Sequence, residues 1–112
     1  MALQKVINLP NATSGSYIRL TGYRWERISR EASAIFSLYS DATQAGAAPA
    51  QPVCPVIAKL RIDGADFDVY LAASVLTGDV TAVGQLYRAA KAMPLIVGGG
   101  LTELTLSDAE DV

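Results

Sequence analysis

Short runs of alternating apolar and polar residues, each closed by glycine, proline or a polar cluster, dominate the chain and predict β-strands. Lys5-Val6-Ile7-Asn8-Leu9 is the first, stopped by Pro10 and the turn-forming stretch Asn11-Ala12-Thr13-Ser14-Gly15-Ser16. The second begins as Tyr17-Ile18-Arg19-Leu20-Thr21 and resumes after Gly22 as Tyr23-Arg24-Trp25-Glu26-Arg27-Ile28. Its apolar positions change parity across the glycine, which predicts a bulge or bend there. A third strand, Glu31 to Tyr39, sets Ala32, Ala34, Phe36 and Leu38 on one face and Ser33, Ile35, Ser37 and Tyr39 on the other. The cleanest alternation sets Val56, Ala58, Leu60 and Ile62 against Ile57, Lys59, Arg61 and Asp63. Asp63-Gly64-Ala65-Asp66 has the residues of a tight turn, so Phe67-Asp68-Val69-Tyr70-Leu71 reads as the return strand.

Between the third and fourth strands, Asp41 to Pro55 carries three of the five prolines, which neither a helix nor a central strand accepts. It predicts a long exposed loop, and loops of that length in small domains tend to make contacts. A helix is predicted from about Val80 to Met93, capped by Asp79, with Val80, Val83, Tyr87 and Ala90 on one stripe and Leu86, Ala89 and Met93 beside it. Arg88 and Lys91 suit its C-terminal end, and Pro94 stops it. Gly98-Gly99-Gly100 reads as a hinge, Leu101 to Leu106 as one last strand, and the acidic residues 107–112 as disordered. The expectation is a mainly β (α+β) chain: residues 1–97 form a small antiparallel β-sandwich or barrel-like domain with one C-terminal helix packed on it. Residues 98–112 follow as a flexible hinge and arm.

Composition changes this picture in one respect. Hydrophobic residues make up 51% of the 112 residues and charged residues 18%, too apolar for a disordered chain and rich for a soluble monomer. Part of that surface is expected to meet another subunit. A net charge of -2, with Arg19, Arg24, Arg27 and Arg30 interspersed among acids and apolar residues, leaves no basic footprint for nucleic acid. No apolar run reaches the 18 or so residues of a membrane helix, and the opening Met1-Ala2-Leu3-Gln4-Lys5 lacks the core of a signal peptide, so synthesis in the cytoplasm without membrane insertion is expected.

Candidate chemistry is sparse. With no histidine and a single cysteine, the commonest general base, the Ser-His and Cys-His nucleophile pairs and the commonest metal ligand are missing. Asp63, Asp66 and Asp68 surround a glycine but lack the spacing and final glutamate of a calcium loop. The glycine triplet is not followed by the Lys-Ser/Thr pair of a phosphate loop. Trp25 with Tyr17, Tyr23 and Tyr39 could stack on a sugar, although in a small β-domain such rings more often cap a core or sit at an interface. Cys54, between Val53 and Pro55, has no neighbour that would activate it. No catalytic residue, cofactor or metal is expected. The contact candidates are Tyr23, Trp25, Cys54, Leu101, Leu104 and Leu106, with Leu101 to Leu106 a segment that could add to a neighbour's sheet edge.

The opening Met1-Ala2-Leu3-Gln4-Lys5-Val6-Ile7-Asn8-Leu9-Pro10-Asn11, followed by Tyr17-Ile18-Arg19-Leu20, resembles small proteins encoded in the tail and baseplate modules of siphophages. Those proteins begin Met-Ala-Leu-x-Lys-x-Ile-x-Leu-x-Asn-Gly and soon give Tyr-x-Arg-Ile. They later carry a mid-chain hairpin and a helix of the kind Asp-x-Val-x-x-x-Tyr-x-x-Leu-Lys. Here Asp79-Val80-Thr81-Ala82-Val83-Gly84-Gln85-Leu86-Tyr87-Arg88-Ala89-Ala90-Lys91 occupies that place. The resemblance spans residues 1 to 97. It departs where Ala12 replaces the family's glycine and where residues 98–112 extend the chain. What it implies is a non-enzymatic structural protein of a tailed bacteriophage particle, made in the host cytoplasm and found in the virion. Its partners would be other particle proteins and copies of itself in a symmetric tail, baseplate or fibre-attachment assembly. A peripheral receptor- or glycan-binding module, or a head or neck decoration protein, is the alternative.

Overall fold

A computed structural model of the chain describes residues 2–47 and 51–112. Among these residues, β1 (Leu3–Asn8), β2 (Ser14–Glu26), β3 (Glu31–Tyr39), β4 (Cys54–Asp63), β5 (Ile96–Val97) and β6 (Glu110–Asp111) form one sheet. The strand order is β5-β4-β3-β2-β1-β6, and every neighbouring pair is antiparallel. Three helices, α1 (Ala42–Ala45), α2 (Gly64–Leu71) and α3 (Ala82–Ala92), complete the domain. The fold is thus the mainly β, α+β domain that the alternation predicts. Its sheet is open, with helices rather than a second sheet across the inner face.

Alternation decides which face is inner. Ala32, Ala34, Phe36 and Leu38 of β3 are all buried, as are Ile18 of β2 and Ala58, Leu60 and Ile62 of β4. On this face α3 lays Leu86, Tyr87, Ala89 and Ala90, and the Tyr87 ring meets Phe36 edge-on at 5.6 Å. Each large side chain buried in this way contributes about 1.5–3 kcal/mol. Thr81, not Asp79, caps the helix, its hydroxyl accepting the Gly84 N–H at 3.0 Å. The outer face carries Arg24, Glu26, Glu31, Lys59, Arg61 and Asp63, all exposed. At its far end Tyr39 is buried beside α1, which Asp41 caps through the Gln44 N–H. The helix lies within the stretch expected to be a structureless loop. Residues 48–50 of that loop lie outside the described residues.

The predicted bulge is present. Leu20 pairs with Phe36 but Gly22 pairs with Ile35, so Thr21 is the extra residue. Its hydroxyl meets that of Ser37 at 2.8 Å, and Ser37 donates to the Pro55 carbonyl at 2.6 Å, which satisfies a hydroxyl that is 3% exposed.

Two expectations are corrected. Residues 64–71 are helix α2, not a return strand. Gly64, at a φ of +56°, swings the chain off the sheet after β4, and its N–H bonds the Arg30 carbonyl. A strand would place Phe67, Val69 and Leu71 on one face. A helix instead buries Phe67 and Leu71, four apart, and leaves Val69 exposed. The second correction concerns residues 98–112, which fold back onto the domain instead of forming a free arm. Gly99 and Gly100 adopt φ of +66° and +81°, turning the chain away from β5. The segment then runs as an irregular strap, with no strand over Leu101–Leu106, to the opposite edge of the sheet. There β6 pairs Glu110 with Gln4 and Asp111 with Leu3. Ala2 and Val112 exchange backbone hydrogen bonds at 2.9 and 3.0 Å.

Candidate assembly surface

The six contact candidates fall in two places. Leu106 is 1% exposed within the core, and Leu101 and Leu104 pack partly buried against it. Leu106 is therefore closed to a neighbouring chain, while Leu101 and Leu104 keep part of their surface exposed. Cys54 is buried as well: it opens β4 opposite Leu38 rather than lying in a loop, and a Cβ added at Gly99 would come within 3.2 Å of its sulfur. Tyr23 and Trp25 remain, two residues apart on β2.

Charge secures the strap. Lys5 donates to the Thr105 carbonyl at 2.6 Å and to the Asp108 carboxylate at 2.8 Å, and Lys91 lies 3.5 Å from Asp111. The Lys5 hydrogen bond holds the Asp108 carboxyl below its ordinary pKa. The acidic residues expected to be disordered are thereby drawn onto the β1 edge.

The long strand β2 outruns its neighbour. β1 pairs with it only from Asn8 opposite Ser14 to Leu3 opposite Ile18. Among the described residues no strand pairs with the same side of Arg19–Glu26. β2 and β3 therefore continue as a hairpin arm beyond β1, closed by the Arg27–Arg30 turn, where Ile28 is fully exposed. Where β1 stops, the Leu20 N–H donates to the Tyr87 hydroxyl at 2.6 Å. Burial pushes the pKa of that hydroxyl up, so it stays neutral and can still donate.

Tyr23 and Trp25 pair with Ala34 and Ala32, which puts them on the inner face of the arm. Trp25 is half-buried, its ring 6.3 Å from Phe67 of α2, with the Arg27 guanidinium 5.3 Å from the ring centre. Tyr23 is 51% exposed and opens into a groove of about 390 Å³ between the β2 edge and α3, lined also by Leu20, Val83 and Tyr87. On the outer face of the arm a second groove, of about 270 Å³, runs among Arg24, Glu26, Glu31 and Arg61. Its charges pair among themselves, Arg24 with Glu26 at 3.2 Å and Arg61 with Glu31 at 4.0 Å. Pairs this exposed contribute at most about 1 kcal/mol each.

Among the described residues no group of three or more His, Cys, Asp or Glu side chains is gathered as for a metal, and no helix is long and apolar enough to cross a membrane. Leu20 and Tyr87, which shape the end of the open edge, were not among the sequence candidates. Their signal was a mismatch of length, since a first strand of five residues cannot cover a second strand of twelve. No protein-family model, curated protein or solved structure matches the chain.

Proposed function

We propose that this chain is a non-enzymatic assembly domain of a tailed bacteriophage particle, placed in a tail, baseplate or fibre-attachment structure and acting through contacts with other chains. The observation that carries the assembly part is the open edge of β2: eight residues, Arg19–Glu26, whose aromatic side chains lie beside an edge that no strand pairs with among the described residues. Backbone groups left open in this way are a template for a further strand. The phage setting rests on the likeness of residues 1–20 and of the Asp79–Lys91 segment to the siphophage pattern. A histidine-free, apolar-rich composition agrees with a role in which surface rather than chemistry does the work.

Mass spectrometry of purified particles from the source virus, quantifying this chain against the major capsid protein, tests the proposal. The expected result is a fixed copy number matching a ring or fibre symmetry, low relative to the capsid protein. Absence from intact particles would overturn it.

A further inference from the structure

We propose that the open edge of β2 receives a second copy of this chain, Gly22–Glu26 of one copy pairing antiparallel with Gly22–Glu26 of the other about a twofold axis through Arg24. The inference rests on the assembly reading above and narrows it to a single contact.

Shape is the first argument. Because β1 ends opposite Ile18, the β2–β3 arm projects beyond β1 by the same eight residues that lie open beside it. Arm and notch have equal length by construction. A twofold axis sets each copy's arm in the other's notch, so that one self-complementary contact fills both.

The backbone is the second argument. Leu20 turns its N–H toward Tyr87 and away from β3, so its partner Phe36 belongs to the non-hydrogen-bonded pairs of that ladder. β3 is regular from Phe36 to Ala32, so Ala34 and Ala32 are of the same kind. Their partners Tyr23 and Trp25 therefore also direct N–H and C=O groups to the open side. In the proposed register Tyr23 stands opposite the other copy's Trp25, and these two residues exchange both hydrogen bonds. Thr21, where the strand bulges, lies outside the paired stretch.

Side chains favour the pairing on the inner face and balance on the outer one. On the inner face each Tyr23 meets the other copy's Trp25, an aromatic cross-strand pair over the groove that Tyr23 shares with Val83. On the outer face the two Arg24 side chains stand directly opposite each other, a like-charge contact that works against the pairing. Each keeps its own Glu26 at 3.2 Å and gains the other copy's Glu26 on the diagonal, which offsets that repulsion.

The register makes a sharp test. Arg24 opposite itself is a close, non-hydrogen-bonded pair, with Cα atoms about 4.5 Å apart, within the span a disulfide bridges. Arg24→Cys and, as control, Lys59→Cys on the outer face of β4 are each made with the buried Cys54 replaced by alanine and then oxidised. Rapid disulfide-linked dimer is expected for Arg24→Cys alone. Sedimentation equilibrium of the unmodified protein at about 100 µM should show dimer. Tyr23→Lys should raise its dissociation constant about tenfold or more, with unchanged circular dichroism. A protein that stays monomeric at that concentration, or equal crosslinking of the two cysteine variants, would overturn the contact. If the chain is nonetheless found in particles, the assembly role stands and another chain occupies the edge.

Discussion

The first half of β2, Ser14 to Ile18, is paired with β1 along its length and with β3 from Tyr17 onward, and β1 is bordered in turn by β6 and the strap. The second half, Arg19 to Glu26, has β3 on one side and, among the described residues, only the Tyr87 hydroxyl at the near end of the other. One strand thus shows two ways of treating a sheet edge. The closed half is finished by a distant segment, drawn in by Leu106 and held by Lys5 and Lys91. The open half carries the devices that usually blunt an edge, a bulge at Thr21 and charges at Arg24 and Glu26. Those charges lie on its outer face, while its inner face offers aromatic rings. Closure of an edge within the chain and an edge left without a strand are therefore separable properties of neighbouring residues.

The contrast can be broken most severely at the strap. Truncation after Gly100 removes Leu101, Leu104, Leu106, Ala109 and β6, and should lower stability by about 4 kcal/mol or more in urea unfolding, from the apolar surface left in water. A truncated chain as stable as the full one would show that the strap closes nothing. Leu106→Ala isolates the largest buried side chain of the strap and should cost about 2–5 kcal/mol, read in the same way. Tyr87→Phe sharpens the boundary between the halves. It strips the Leu20 N–H of its acceptor while keeping the ring against Phe36, for a loss of about 1 kcal/mol. Faster amide exchange at Leu20 is the accompanying signature.

The smallest effect is one of pH. The folded-state pKa of Asp108 is depressed, chiefly by the Lys5 hydrogen bond, so the carboxylate binds its proton more weakly folded than unfolded. Its contribution is present above the ordinary carboxylate pKa near 4 and is lost as pH falls through the lower folded value. Asp108→Asn should flatten the fall in thermal midpoint over that acid window and change little near neutrality. An unchanged acid profile would show that Lys5 holds the strap through Thr105 instead.

Strands β1 to β4, the bulge and helix α3 were legible because each repeats one period over enough residues to exclude the other. Ala32 to Leu38 and Ala58 to Ile62 alternate, and Val83, Leu86, Tyr87 and Ala90 step by three and four. Helix α2 was not, because Phe67, Val69 and Leu71 satisfy a strand as well as Phe67 and Leu71 satisfy a helix. Only the left-handed turn at Gly64 and the inner surface beside Trp25 decide between them. The strap was illegible for a different reason. Glycines followed by acids are locally indistinguishable from a free arm, and what fixes them is distant in sequence: the core that takes Leu106, with Lys5 and Lys91. Of the contact candidates Tyr23 and Trp25 lie at the open edge. Cys54 was drawn from its place in a predicted loop and the three leucines from a predicted last strand, and the structure puts Cys54 and Leu106 in the core instead.

The pairing of Ala2 with Val112 has a kinetic consequence. It joins residues separated by nearly the whole chain, and loops of that span close late because their entropy cost falls due before their contacts form. The β2–β3 arm, folded about a four-residue turn, is local and forms early. Substitutions in the strap should therefore speed unfolding and leave the folding rate nearly untouched, and those in the arm should slow folding. During folding the arm should therefore be complete before the β1 edge, on the same side of the sheet, has been sealed by the strap.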